Sequence, residues 1–198
     1  MNWSGYFVNV QTLKVSFLQP SEAYQLITGP IQGVPVEQIF DQGVVEEILR
    51  VTNCHPFLLQ ALSSAVIDAL NSRRLNKVEI SDVAKAINIV FKNWGNTYFR
   101  DLWTRTDAVQ RICLSILNKQ GSADLLSIEQ QSGLDGQIVS QAMEVLLDRD
   151  LVQVNEQRVY QLAAPILSKW IECNEVVAHR SEGGSIDSSR NSITLSPQ

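Results

Sequence analysis

Few side chains in this chain of 198 residues are equipped for chemistry, and the densest group of them is Asn53-Cys54-His55-Pro56. There are two histidines, His55 and His179, and three cysteines, Cys54, Cys113 and Cys173. The stretch from Val51 to Asn71 carries apolar residues at Leu58, Leu59, Leu62, Val66, Ala69 and Leu70. Steps of three and four describe one face of an α-helix. Pro56 falls in its first turn, where a missing N–H costs nothing. Asn53 can adopt the left-handed conformation that ends the preceding helix. The four residues therefore form a corner between two helices. The helix that leaves it presents free N–H groups and a positive dipole end, which suits an anionic ligand. The plainer alternative is a helix–helix turn in a bundle, and periodicity alone favours it.

No other chemistry is legible. The chain lacks a Gly-x-x-x-x-Gly-Lys-[Ser/Thr] phosphate loop, a His-Glu-x-x-His or Cys-x-x-Cys metal motif, and a Gly-x-Ser-x-Gly nucleophile elbow. Glu46-Glu47 and the pair Asp148 and Asp150 read as solvated faces. No catalytic residue and no metal ligand is assigned, and the chain is expected not to be an enzyme by itself. The cysteines are odd in number and widely spaced, so they form neither a disulfide framework nor a zinc pattern. A reducing cytoplasm is the simplest setting. The formal charge of -5 gives no general attraction to nucleic acid. No apolar run is long enough to span a bilayer, and the N-terminus does not read as a signal peptide.

The elements that would hold the corner follow from pattern. Residues Leu13 to Phe17 alternate apolar and polar, which predicts one short strand. A lone strand leaves its edges unpaired, so it wants a sheet that the chain does not obviously supply; the plainer alternative is a frayed, extended N-terminal arm. Pro20 and the Gly29-Pro30 stop bracket a first helix. A loop follows, containing Pro30, Gly33 and Pro35. A second helix is expected from about Asp41 to Arg50, then the corner and the long helix. Ser81 and Asp82 are expected to cap a further helix carrying Val83, Ala84, Ile87 and Val90 inward. Residues 20–92 thus read as a small four-helix unit. Residues 93–106 read as a junction, with Tyr98, Phe99, Leu102 and Trp103 packing on one short helix.

A second unit spans 107–172. A helix from Ala108 to Lys119 turns Val109, Ile112, Cys113, Ile116 and Leu117 inward. A short helix ends at Gly133. A third, capped by Asp135, turns Ile138, Val139, Ala142, Leu146 and Leu147 inward. Leu151–Val154 and Val159–Leu162 make a β-hairpin, and a last helix runs from about Pro165 to Glu172. Three helices, a hairpin and a helix give the order of a winged helix. Such a fold often binds DNA through its third helix. Here residues 135–150 carry Asp135, Glu144, Asp148 and Asp150 against one arginine, Arg149, and the wing tip adds only Arg158. Arg149 and Arg158 are the candidate nucleic-acid contacts, but the excess of acid favours a protein partner over DNA. Residues 173–198 hold too few aliphatic side chains to bury and are expected to be disordered.

The segments 13–27 (LKVSFLQPSEAYQLI), 52–60 (TNCHPFLLQ), 80–87 (ISDVAKAI) and 98–103 (YFRDLW), with the winged helix after them, resemble the C-terminal part of a STAND-type AAA+-like ATPase. The resemblance implies a mainly α fold: a helical lid bundle, then a winged helix with one β-hairpin and a disordered tail. It implies that 1–19 end a P-loop core that is otherwise missing here, and that 20–92 are the lid. The family's lid signature, Gly-x-Pro within a Thr-Gly-Gly-His-Pro-like run, places its proline against bound nucleotide. By that match Pro56 faces the nucleotide, with His55 beside it near the phosphates or ribose. Cys54 stands where the signature has glycine, and cysteine accepts a positive φ poorly, so a left-handed Cys54 would strain the corner.

These readings converge on a non-catalytic lid and winged-helix portion of a nucleotide-switch ATPase, acting in conformational signalling. ATP or ADP would be its cofactor only together with a P-loop core, upstream or on a separate chain. Two alternatives remain open from sequence: a winged-helix DNA-binding regulator, and a protein-interaction module or inactive remnant.

Overall fold

The computed structural model describes residues 17–31, 33–73 and 77–172. Most of the expected strand (13–16) and the serine-rich tail (173–198) lie outside the described residues. The fold is mainly helical with a small antiparallel sheet.

The N-terminal half opens with α1 (Pro20–Thr28), where Pro20 occupies the first turn and the Glu22 carboxylate accepts the Gln19 N–H at 3.0 Å. A one-turn helix, α2 (Val36–Ile39), follows in the stretch expected to be loop. Next come α3 (Val44–Thr52), α4 (Pro56–Arg73) and α5 (Ile80–Trp94). At 18 residues α4 is the longest, about 27 Å. It packs on α1, α3 and α5 through Leu58, Leu59, Leu62, Ala65 and Val66. Phe40 and Val78 form a parallel bridge that sequence reading did not anticipate, because a single pair carries no period. It is closed by Val78 N–H to Ile39 O at 2.8 Å and Asp41 N–H to Val78 O at 2.9 Å, and Lys77 pairs with Asp41 at 2.6 Å beside it. The start of α5 also differs from expectation. Asp82 lies in the first turn and reaches back to the Glu79 N–H, and Lys85 holds its carboxyl below the usual range. Ala84 is exposed and Ala86 is buried.

The junction is not one helix. After Trp94 the backbone widens into a π-helical turn, Gly95–Phe99, before α6 (Arg100–Thr104). That turn directs adjacent rings to different neighbours. Tyr98 stacks on Phe57 of α4 with centroids 4.1 Å apart, while the buried Phe99 stacks on Trp170 of the last helix at 5.7 Å.

The C-terminal half holds α7 (Ala108–Gln120), β1 (Ser122–Ala123), α8 (Leu125–Ser132), α9 (Gly136–Asp148), β2 (Val152–Val154), β3 (Tyr160–Leu162) and α10 (residues 165–172). Asp107, Asp124 and Asp135 cap α7, α8 and α9, each accepting a backbone N–H at 2.8 Å. The strands run in the order β1-β3-β2, all antiparallel, with Ala123 opposite Tyr160 and Gln153 opposite Gln161. The two-residue β1 completes a three-stranded sheet; the sequence had indicated only the hairpin. Two inward assignments fail: Ile112 and Ile138 are 39% and 46% exposed. Leu114 and Met143 are buried instead. A continuous core runs from Ala23 in α1 to Ile171 in α10.

Candidate functional site at the lid corner

Helix α3 ends because two consecutive residues leave the right-handed region. Asn53 has φ 47 and Cys54 has φ 57. The buried Thr52 hydroxyl already donates to the Ile48 carbonyl at 2.7 Å, drawing the last turn closed. Asn53, Cys54 and His55 then donate N–H groups back to Arg50 O, Leu49 O and Thr52 O. Left-handed backbone is tolerable for asparagine and costs an ordinary L-residue on the order of 1–2 kcal/mol. Cys54 meets that cost while 8% exposed, with burial raising its thiol pKa. The expected strain at the glycine-replacing cysteine is therefore present.

Three segments converge on this corner. From the N-terminal side, Leu18 N–H donates to Cys54 O at 3.0 Å, and the Phe17 ring meets His55 edge-on at 5.5 Å. From the junction, the Tyr98 hydroxyl lies 3.4 Å from His55 Nε2. From the C-terminal half, Ala163 O and Gln153 Oε1 accept from the Asn53 amide Nδ2 at 2.6 Å and 2.9 Å. Nothing in the sequence marked the last of these, because its partners lie 100 and 110 residues away.

His55 Nδ1 is buried and has no hydrogen-bond partner among the described residues. An orphaned buried polar atom costs on the order of 1–3 kcal/mol, so the ring is held by its packing and by Tyr98. Burial lowers the His55 pKa and Asp150 opposes the shift. Burial, with help from Asp150, pushes Tyr98 up to about 12. At neutral pH both rings are therefore uncharged. The Pro56 ring occupies the first position of α4. The sequence-nominated pair, His55 and Pro56, is thus brought together with Tyr98 and Phe17, which sequence reading had assigned to packing and to a strand end, and with Phe57, which it had not singled out. Among the described residues no group of acids, histidines and cysteines could hold a metal ion.

The two arginines offered as nucleic-acid contacts are far apart in role. Arg149 donates to Arg105 O and Leu102 O, both at 2.9 Å, and so closes the end of α6. Arg158 is exposed in the hairpin turn at φ 60.

No family model matches the chain, and neither does any curated protein. Among solved structures the chain is similar to the RuvB Holliday junction branch migration motor of Thermotoga maritima, with 14% identity and a TM-score of 0.36, over 76% of this chain and 48% of that one. A single-site variant of the same motor aligns at 12% identity and a TM-score of 0.37, over 88% of this chain and 52% of that one. The chain spans about half the length of these structures. The likeness is coarse and extends to the fold alone.

Two outcomes follow from the corner geometry. Cys54→Gly relieves the left-handed strain, whereas Cys54→Ala keeps the strain and loses the sulfur. Urea denaturation should therefore rank Cys54→Gly at least as stable as Cys54→Ala, by about 1 kcal/mol; the reverse order would show that the corner is unstrained. Because burial lowers the His55 pKa, the unfolded chain takes up a proton first as pH falls below the ordinary value of 6.5. Stability from this group is complete above 6.5 and is lost as pH falls toward the folded value. The pH dependence of urea midpoints between 7 and 5 should be shallower in His55→Phe than in the parent.

Proposed function

We propose that this chain is the lid and winged-helix portion of a nucleotide-switch ATPase of the STAND kind, without catalysis of its own. ATP or ADP held by a P-loop core would rest against Pro56 at the start of α4, with His55 beside the ribose or phosphates. The observation that carries this reading is that the same four-residue corner offers a helix N-terminus and is bonded through Asn53 to the winged helix. A ligand pressing on the corner therefore bears directly on the position of β2 and of the β3–α10 connection. That is a ligand biasing a conformational element, the physical basis of a switch.

The partner this function requires is the P-loop core, upstream or on another chain; signalling through protein contacts and a cytoplasmic setting belong to the same proposal. Among the described residues no helix is long and apolar enough to cross a membrane.

The isolated chain supplies one wall of a nucleotide site, so its affinity for ADP should be millimolar rather than micromolar, a difference of about 4 kcal/mol. In an NMR titration ADP should shift the His55 and Tyr98 signals, and Pro56→Ala should remove the response. Micromolar binding, ATP turnover that survives purification, or shifts confined to residues away from the corner would each contradict the proposal.

A further inference from the structure

The outer stripe of α9 consists of Gln137, Ile138, Gln141, Glu144, Val145 and Asp148, all exposed. Their spacing of one, three, three, one and three residues is that of a single helical face. Ile138 and Val145, two turns apart on that face, are 46% and 42% exposed. One exposed aliphatic side chain is ordinary. Two β-branched ones in register are not what a solvated helix face favours, since branching at Cβ lowers helix propensity and water gains nothing from them. The core does not account for them either, because α9 turns Val139, Ala142, Met143 and Leu146 inward.

The charged residues of the stripe itself, Glu144 and Asp148, are both acidic. At the start of the helix Asp135 is the cap, while the Glu129 carboxylate lies against Gly136. Three arginines of this half are engaged by other groups. Arg149, which follows α9 directly, turns its guanidinium to the carbonyls of Leu102 and Arg105. Arg111 lies over the Trp103 ring at 5.3 Å and donates to Trp103 O. Arg105 pairs with Asp101 at 3.1 Å. The outer stripe of α9 thus carries two aliphatic and two acidic side chains and no basic one.

We infer that the outer face of α9 is a docking surface for a basic amphipathic helix of another protein: aliphatic side chains at helical spacing, flanked by lysine or arginine. The apolar pair would supply contact area and Glu144 would set partner choice, as oppositely charged rims do at protein interfaces. This surface lies outside the corner and its use requires no nucleotide.

The test uses the full chain, without nucleotide, and a labelled helical peptide of alternating leucine and lysine turns, with a leucine–glutamate peptide of the same pattern as its counterpart. Fluorescence anisotropy should show binding of the basic peptide that weakens with salt, and NMR shifts should fall on α9. The double variant Ile138→Ser with Val145→Ser should weaken binding at least tenfold, and Glu144→Lys at least threefold, with helical circular dichroism unchanged. Failure of the basic peptide to bind, equal binding of the acidic peptide, or undiminished binding by both variants would overturn the proposal. So would a 20-base-pair DNA duplex that binds through α9, or self-association of the chain through this face.

Discussion

The Asn53 amide ties the two halves of this chain together at one point. Its Nδ2 reaches Ala163 O at 2.6 Å and Gln153 Oε1 at 2.9 Å, and it can do so because the residue sits at φ 47, where its Cβ is swung off the end of α3 toward the hairpin. A right-handed Asn53 would continue the helix and aim the amide elsewhere. Each bond contributes about 1 kcal/mol net, and an unpaired partner carbonyl would cost more. Asparagine also lowers the cost of the left-handed turn itself. The next residue, Cys54, gains no such relief, yet its carbonyl accepts Leu18 N–H and its side chain is buried. Contacts on three sides over-determine the corner, which is the condition under which backbone strain persists.

The rest of the contact between the halves is apolar and less directional. Phe99 on Trp170, with Trp103 at 5.7 Å from the same indole, buries a large aromatic area but fixes no register by itself. Arg149 supplies a second polar tie by closing the end of α6. Together these make the junction a packed region with polar ties at Asn53 and Arg149. His55 and Tyr98 meet there, and the charge of Asp150 acts on both rings.

Much of the fold was legible because its signals are local. Pro20 with Gly29, Asn53 with Pro56, Gly133 and Asp135 each mark a helix end by a mechanism that depends on one or two residues. What was missed depends on partners distant in sequence. The Phe40–Val78 bridge and the two-residue β1 have no period to detect. Ile112 and Ile138 match the apolar spacing of a core face, but the helices are rotated so that Leu114 and Met143 take those places. The candidate site was half legible: His55 and Pro56 follow from the corner motif, whereas Asn53 as a tie and Tyr98 as a partner emerge only when the C-terminal half and the π-helical turn are packed against α3 and α4.

The most direct test of coupling between corner and wing is hydrogen exchange in β2, β3 and the start of α10, compared between the parent chain, Asn53→Gly and Asn53→Ala. Glycine keeps the left-handed backbone and loses the amide. If the amide is the tie, exchange in these segments should rise in both variants by at least fivefold, while α4 and α5 stay protected in Asn53→Gly. Unchanged exchange at the hairpin in both variants would show that the C-terminal half is held by its aromatic contacts alone and that the corner does not govern it.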